Sequence, residues 1–332
     1  MKYAVIGAGS WGTTVASIAA PYVPTIVWTR RPEIARGINK RHRNKRYLKG
    51  LDLSPELVAT DDLRDAVEGA TVIIMGVPSH GYRDVLSRLV DLIPRDVPII
   101  SLSKGIEAGT LMRMTEVTMD VLPDHDSSVV GVLTGPNLAR EILQGQPAAT
   151  VIAMQNQDAA ESIQRVFSSP QFRVYTNPDV VGSESAGAVK NVMALAAGMV
   201  AGKGYGDNTL ATLITRALAE MTRLGVAMGG DIRTFSGLAG LGDLIATCNS
   251  SQSRNHQVGF GLGQGRDLDT IVEEMNMVAE GVKSTQGVLD LAERYDIEMP
   301  IAEKVGSVLY DKADVGRALH DLMTRQSRSE YS

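Results

Sequence analysis

Short apolar runs recur through the first half of the chain, each followed by a longer stretch whose apolar residues return with helical spacing. Residues 3–6, 25–28, 71–75, 98–102, 128–133, 150–153 and 172–175 have the length and β-branched content of buried strands. Residues 13–20, 82–92, 111–122 and 158–167 read as the helices between them. Strands alternating with helices predict an α/β fold on a mostly parallel, doubly wound sheet, in which ligands collect beyond the carboxyl ends of the strands. From residue 182 the strand-like runs stop, and helices are predicted over 185–200, 207–224, 268–275, 284–295 and 301–310. The second of these aligns Leu210, Leu213, Ile214, Ala217, Leu218, Met221 and Leu224 on one face, with Asp207 or Asn208 as cap and Gly225 as stop. The pattern divides the chain into an α/β unit, 1–182, and an all-helical unit, 183–332.

The first strand runs straight into Gly7, Gly9 and Gly12, in G-x-G-x-x-G spacing, and then into a helix of small residues. In a strand–turn–helix unit of this kind the first glycine makes the turn and the second lets backbone approach a pyrophosphate. The third lets the helix pack closely, and the phosphates sit on free N–H groups at the helix start. The α/β unit therefore reads as a Rossmann-type dinucleotide-binding domain. At the tip of the second strand, where an NAD site commonly has a carboxylate for the ribose 2′-hydroxyl, the sequence is Trp28-Thr29-Arg30-Arg31. Two guanidiniums suit a 2′-phosphate, so NADP(H) is favoured and NAD(H) remains possible.

A net charge of −5 argues against nucleic acid as the main partner, although residues 36–49 hold seven lysines and arginines. That run reads as a solvated loop and, secondarily, as a local attractor for an anionic ligand. Cys248 is the only cysteine, and the five histidines show no ligand-like spacing, so neither an intrachain disulfide nor a metal site is expected. The apolar run 186–201 is broken by Lys190 and Asn191 and is too short to span a bilayer. A cytoplasmic protein is expected, without membrane insertion.

Lys190 stands out in the second half because its helix is otherwise almost entirely small or apolar. Burial moves a lysine pKa toward neutrality, where the amine can take and return a proton; a snorkelling or salt-bridged structural lysine is the competing reading. The glycine-rich stretch 234–255 carries Asp243 and ends in Ser253-Arg254-Asn255, a multi-donor grip suited to phosphate. Lys104 and Asn137 lie just past predicted strand ends.

Together the motifs resemble the bacterial-type NAD(P)-dependent glycerol-3-phosphate dehydrogenases. The likeness is carried by GAGSWGT (7–13), VPSH (77–80), SKGIE (103–107), GPNLARE (135–141), VKNVMALAAG (189–198), GDNTLATLITRALAEMTRLG (206–225), TFSGLAGLGDL (234–244), QSRN (252–255), AEG (279–281) and EMPI (298–301). The resemblance implies a Rossmann-type N-terminal domain and an all-α domain like the C-terminal domain of 6-phosphogluconate dehydrogenase. It implies Lys190 as the catalytic proton acceptor, with Lys104 and Asp243 beside it. It implies that Gly135, Asn137, Ser253, Arg254 and Asn255, with those three, hold glycerol 3-phosphate or dihydroxyacetone phosphate. Ser10, Trp11, Arg30, Lys104, Ala139, Arg254, Val278 and Glu280 match positions that contact NADPH, and Arg31 joins them by its charge. Asn137-Leu138 departs from the family pattern, where Ser or Thr is often followed by an aromatic. A homodimer is the expected assembly, and closure of the two domains is expected to complete the site. Two other readings stay open: a 3-hydroxyacid or sugar-acid dehydrogenase of the same build, and a non-catalytic NADPH-sensing module.

Overall fold

The computed structural model describes residues 1–275, 279–326 and 329. Its centre is one eight-stranded sheet of β1 (Tyr3–Ile6), β2 (Thr25–Trp28), β3 (Val58–Thr60), β4 (Val72–Met75), β5 (Ile99–Ser101), β6 (Val130–Thr134), β7 (Ala148–Ala153) and β8 (Phe172–Asn177). The spatial order is β3-β2-β1-β4-β5-β6-β7-β8. The first six strands are parallel, so Gly7, Thr29, Gly76, Leu102 and Gly135 all leave the sheet at one end. β1, β4, β5 and β6 are buried throughout, which is why they read as unbroken apolar runs rather than alternating ones.

The basic run and the edge of the sheet depart from the sequence reading. The basic run is not a loop at its start, because Pro32–Arg41 is a helix with proline in its first turn, Glu33 near its amino end and Lys40 and Arg41 near its carboxyl end. Ile34 and Ile38, one helical turn apart, are buried beneath the charges. Strand β3 is three residues at the sheet edge, too short to register as a period.

β7 pairs antiparallel to β6 and β8 parallel to β7, so the chain finishes the sheet at the end away from the other strand tips. There Asp179 caps a 23-residue helix, Val180–Gly202, by accepting the Gly182 N–H at 2.8 Å, and its other oxygen accepts the Asp231 N–H at 2.9 Å. The helix returns along the sheet: Val180 packs with Val132, Val151 and Ala153, and Gly187 lies over Thr134 at the tip of β6. By length and composition this helix could cross a membrane, contrary to the expectation from 186–201, but 89% of its most apolar window is buried inside the fold. It is the axis of the second half, wrapped by helices Asp207–Ala227, Asp243–Asn249, Arg254–Gly263, Glu280–Arg294 and Pro300–Tyr310.

Glycines set how closely two of these helices approach. A Cβ on Gly198 would lie 2.1 Å from the His256 carbonyl oxygen, and one on Gly259 would lie 2.0 Å from that of Leu195. Gly202 and Gly263, each one turn further on, meet Phe260 and Met199 backbone in the same way, so the helices touch main chain to main chain. Gly225 does not stop its helix as expected. The helix is capped by Gly206 and continues to Ala227, and Gly225 makes room for the ring of Phe235, whose Cζ would be 2.0 Å from an added Cβ.

Glu220, in the same helix, is buried and accepts the Ile301 N–H at 2.8 Å and the Ala302 N–H at 3.4 Å at the start of helix Pro300–Tyr310. Burial outweighs these bonds and pushes its carboxyl up from 4.5 to about 7. Between those two values the folded chain holds a proton that the unfolded chain has released, so stability falls as pH rises through the window. Glu220→Gln keeps an acceptor for Ile301 without the charge and is expected to remove that part of the decline. Denaturant titration of both proteins at pH 5 and pH 8 measures it, and equal slopes with pH would contradict it.

Candidate active site

The glycine turn has the shape required of a dinucleotide cradle. Gly7 sits at φ +122°, and a Cβ there would lie 2.6 Å from Gly76 O; one on Gly12 would lie 2.1 Å from Gly7 O. A Cβ on Gly9 meets nothing within 4 Å, so this backbone faces open space beside the amino end of helix Ser10–Ala19, which has no side-chain cap. An uncapped helix start with an accessible turn fits a pyrophosphate. Nearby, Ser10 Oγ donates to Tyr47 O, and Trp11 packs edge-on against Phe172 with its Nε1 buried and without a partner among the described residues. Arg30 is exposed at the tip of β2, whereas Arg31 turns toward Glu33 at 3.7 Å. Ala139 opens helix Ala139–Leu143; Val278 lies outside the described residues. His80, past β4, is held below the usual imidazole range by burial and by the cations of Lys283 and Arg30.

The chemistry lies where the long helix passes the strand tips. Lys104, after β5, donates from Nζ to Asp243 Oδ2 at 2.6 Å and to Gly135 O at 3.1 Å. Lys190, 5% exposed, donates to Thr247 Oγ1 at 2.7 Å and lies 3.2 Å from Asp243 Oδ1. One carboxylate is therefore shared by two ammonium groups from different halves of the chain. Asp243 opens helix Asp243–Asn249, and Thr247, one turn on, donates back to Asp243 O at 2.6 Å. Burial pulls the Lys190 ammonium down to about 8; Asp243 opposes the drop and Lys104 adds to it. Lys190 is thus both the buried, salt-bridged lysine of one reading and the near-neutral amine of the other. The lysines already share Asp243, so this pairing does not depend on later closure. Cys248 lies against the same group, its thiol pushed up to about 12 by burial.

Sequence reasoning missed the second layer of this site. Gly187, one turn before Lys190, leaves room for Lys104: a Cβ there would sit 3.5 Å from Lys104 Cγ. Asn191 donates to Lys104 O at 2.9 Å and accepts from Asn255 Nδ2 at 3.0 Å, while Asn255 Oδ1 accepts the Gly281 N–H at 2.9 Å. Asn255 is therefore mostly engaged within the chain, with one amide N–H left over for a ligand. Ser253 caps helix Arg254–Gly263 by accepting the His256 N–H, and the exposed Arg254 opens that helix. Asn137 donates to Thr150 Oγ1 at 3.0 Å, its Oδ1 buried without a partner among the described residues. Glu280, at the start of helix Glu280–Arg294, has its carboxyl pushed up by burial against the pull of Arg254. No group of three or more metal-ligating side chains occurs among the described residues.

Comparison with known proteins bears on this arrangement. Residues 2–160 match the family model described as NAD-dependent glycerol-3-phosphate dehydrogenase N-terminus, and residues 179–320 match its C-terminus. The chain belongs to the NAD-dependent glycerol-3-phosphate dehydrogenase family. Among relatives in this family, glycerol-3-phosphate dehydrogenase [NAD(P)+] 2 of Sphingopyxis alaskensis is 52% identical over 96% of each chain. The glycerol-3-phosphate dehydrogenase [NAD(P)+] of Mycobacterium avium is 50% identical over 97% of this chain and 94% of its own. A crystal structure of glycerol-3-phosphate dehydrogenase from Coxiella burnetii, 35% identical, superposes with a TM-score of 0.92 over 98% of this chain and 99% of that one. The C-terminal match of the glycerol-3-phosphate dehydrogenase family begins at residue 179, the cap of the long helix that carries Lys190.

Proposed function

We propose that the chain reduces dihydroxyacetone phosphate reversibly to sn-glycerol 3-phosphate with NAD(P)H, making a precursor for glycerophospholipid synthesis in the cytoplasm. The observation that carries this reading is the Lys104–Asp243–Lys190 cluster at the strand tips. Bound NAD(P)H supplies the hydride, and the residues that would hold it are Gly7, Gly9, Ser10, Trp11, Gly12, Arg30, Arg31, Lys104, Ala139, Arg254 and Glu280, together with Val278 by sequence alone. The chain's own work is to handle the proton and the phosphate. Lys190 as an ammonium gives a proton to the substrate oxygen, and as a neutral amine takes one back in the oxidative direction. A value of about 8 keeps both forms within reach. Asp243 holds the two ammonium groups in register, and Lys104 stabilises negative charge developing on the same oxygen. Arg254, Ser253 and the spare Asn255 N–H grip the phosphate, with Gly135 and Asn137 lining the substrate, so binding energy away from the carbonyl orients it. We take 1–182 and 183–332 as the two working units, and a homodimer as the assembly.

Loss of NADPH absorbance on adding dihydroxyacetone phosphate tests the reading; turnover of a 3-hydroxyacid instead would replace it. NADP(H) is favoured because Arg30 stands exposed where the 2′-phosphate would lie. Arg30→Ala is expected to raise KM for NADPH about tenfold while leaving that for NADH nearly unchanged. Steady-state kinetics with both cofactors decides it, and an unchanged ratio would move the phosphate contact elsewhere.

A further inference from the structure

Glu184 is a buried carboxylate with no part in the chemistry above. It sits in the long helix, 3% exposed, on an otherwise apolar or small-residue surface. Its Oε1 accepts the Thr115 N–H at 3.0 Å, and its Oε2 accepts from Thr115 Oγ1 at 2.6 Å and from Arg113 Nη1 at 3.0 Å. Arg113 is the cap of helix Met114–Val121, so the carboxylate from the second half of the chain lies at the positive end of a helix in the first. Burying a charged pair is costly, and apolar replacements of similar volume are often neutral or stabilising, so stability alone gives little reason for it. The loop between β5 and this helix carries Lys104. It is tied to the long helix at both ends: Asn191 holds Lys104 O, and Glu184 holds Arg113 and Thr115. Between the ties, Arg83 clamps Glu107 at 2.9 and 2.8 Å. Lys190 lies between Glu184 and Asn191 on the helix.

We propose that Glu184 is a positioning residue that fixes the loop bearing Lys104 against the helix bearing Lys190, and so sets the spacing of the two ammonium groups. The proposal rests on the hydride-transfer reading and adds to it. Glu184 is faced by Arg113, Glu116 and Tyr82. Lys190 is faced by Lys104 from the loop, Asp243, Thr247 and Cys248 from helix Asp243–Asn249, and Glu280 from helix Glu280–Arg294. If the tie loosens, Lys104 moves away and its depressing effect on the Lys190 ammonium weakens.

Glu184→Gln keeps the shape and an acceptor for the Thr115 N–H but cannot match the Arg113 charge. It is expected to lower kcat for dihydroxyacetone phosphate about 30-fold, the cost of a misplaced group, while Kd for NADPH changes less than about twofold. The alkaline limb of kcat is expected to move to higher pH. Amide exchange at Thr115 and along 104–113 is expected to quicken while that of β1 and β4 stays as in the wild type. Thr115→Val, which removes one donor, is expected to show the same changes at about a fifth of the size and replaces Glu184→Gln should that variant not fold. A folded variant with wild-type kcat and exchange overturns the proposal, as does a loss that only follows the folded fraction with the alkaline limb in place. The wild-type assay run beside it separates the two ideas. Without wild-type turnover the functional reading fails and the exchange data alone judge the tie; with turnover and unaltered variants, only the tie fails.

Discussion

Replacing Lys190 with alanine is expected to lower kcat about 10⁴-fold, combining loss of the proton donor with loss of a charge aimed at the reacting oxygen. NADPH binding should survive, because the glycine turn and Arg30 lie on the other half of the chain. The wild-type pH profile gives the matching signature. Reduction needs the ammonium, so kcat falls as pH rises through about 8; oxidation needs the free amine, so its rate rises through the same value. Rapid-mixing kinetics in both directions, with NADPH titration of the variant, checks all three. Retained turnover, or a reductive profile flat across pH 8, would remove Lys190 from the reaction.

Gly198→Ala is expected to cost about 3 kcal/mol of stability, although alanine is favoured over glycine in a helix by about 1 kcal/mol. The new methyl would lie 2.1 Å from the His256 carbonyl and 2.8 Å from the Phe260 nitrogen, which are backbone atoms that cannot rotate away. The helices must part by roughly an ångström to restore ordinary contact distances. That separation carries Arg254, at the head of the opposing helix, away from Lys190, so KM for dihydroxyacetone phosphate should rise as well. Denaturant unfolding measures the first effect and steady-state kinetics the second. Gly81→Ala, whose Cβ would meet nothing within 4 Å, is the control. A Gly198→Ala protein as stable as the control would mean the two helices are not in main-chain contact.

Strands β1, β4, β5 and β6 were legible because they are buried on both faces and therefore read as plain apolar runs. Helix Pro32–Arg41 was hidden by its charges: its inward face is only Ile34, Ala35, Gly37 and Ile38. Helix Arg254–Gly263 was missed for the opposite reason. Gly259, Gly261 and Gly263 look like loop residues, and only the partner helix shows that two of them are needed for close approach and that Gly261 clears Ile271. At the site, Lys190 could be singled out from its apolar surroundings and Lys104 from its position past a strand. Asp243 carried no such signal without the resemblance to a known family, since a carboxylate in a glycine-rich stretch reads equally well as a turn. Asn191 and Glu184 were invisible for a simpler reason: their roles depend on atoms 87 and 69 residues away.

The reversal of β7 and β8 makes the start of the long helix a ruler. Because the sheet ends at its far side, the chain must climb back, and ten residues from Val180 to Lys190 rise about 15 Å, roughly the height of a five-residue strand such as β6. Apolar side chains along that climb, such as Val180, Ala186 and Val189, can be exchanged for others of like size. Their number cannot change: one residue more or less would swing the amine about 100° around the axis and out of reach of its carboxylate.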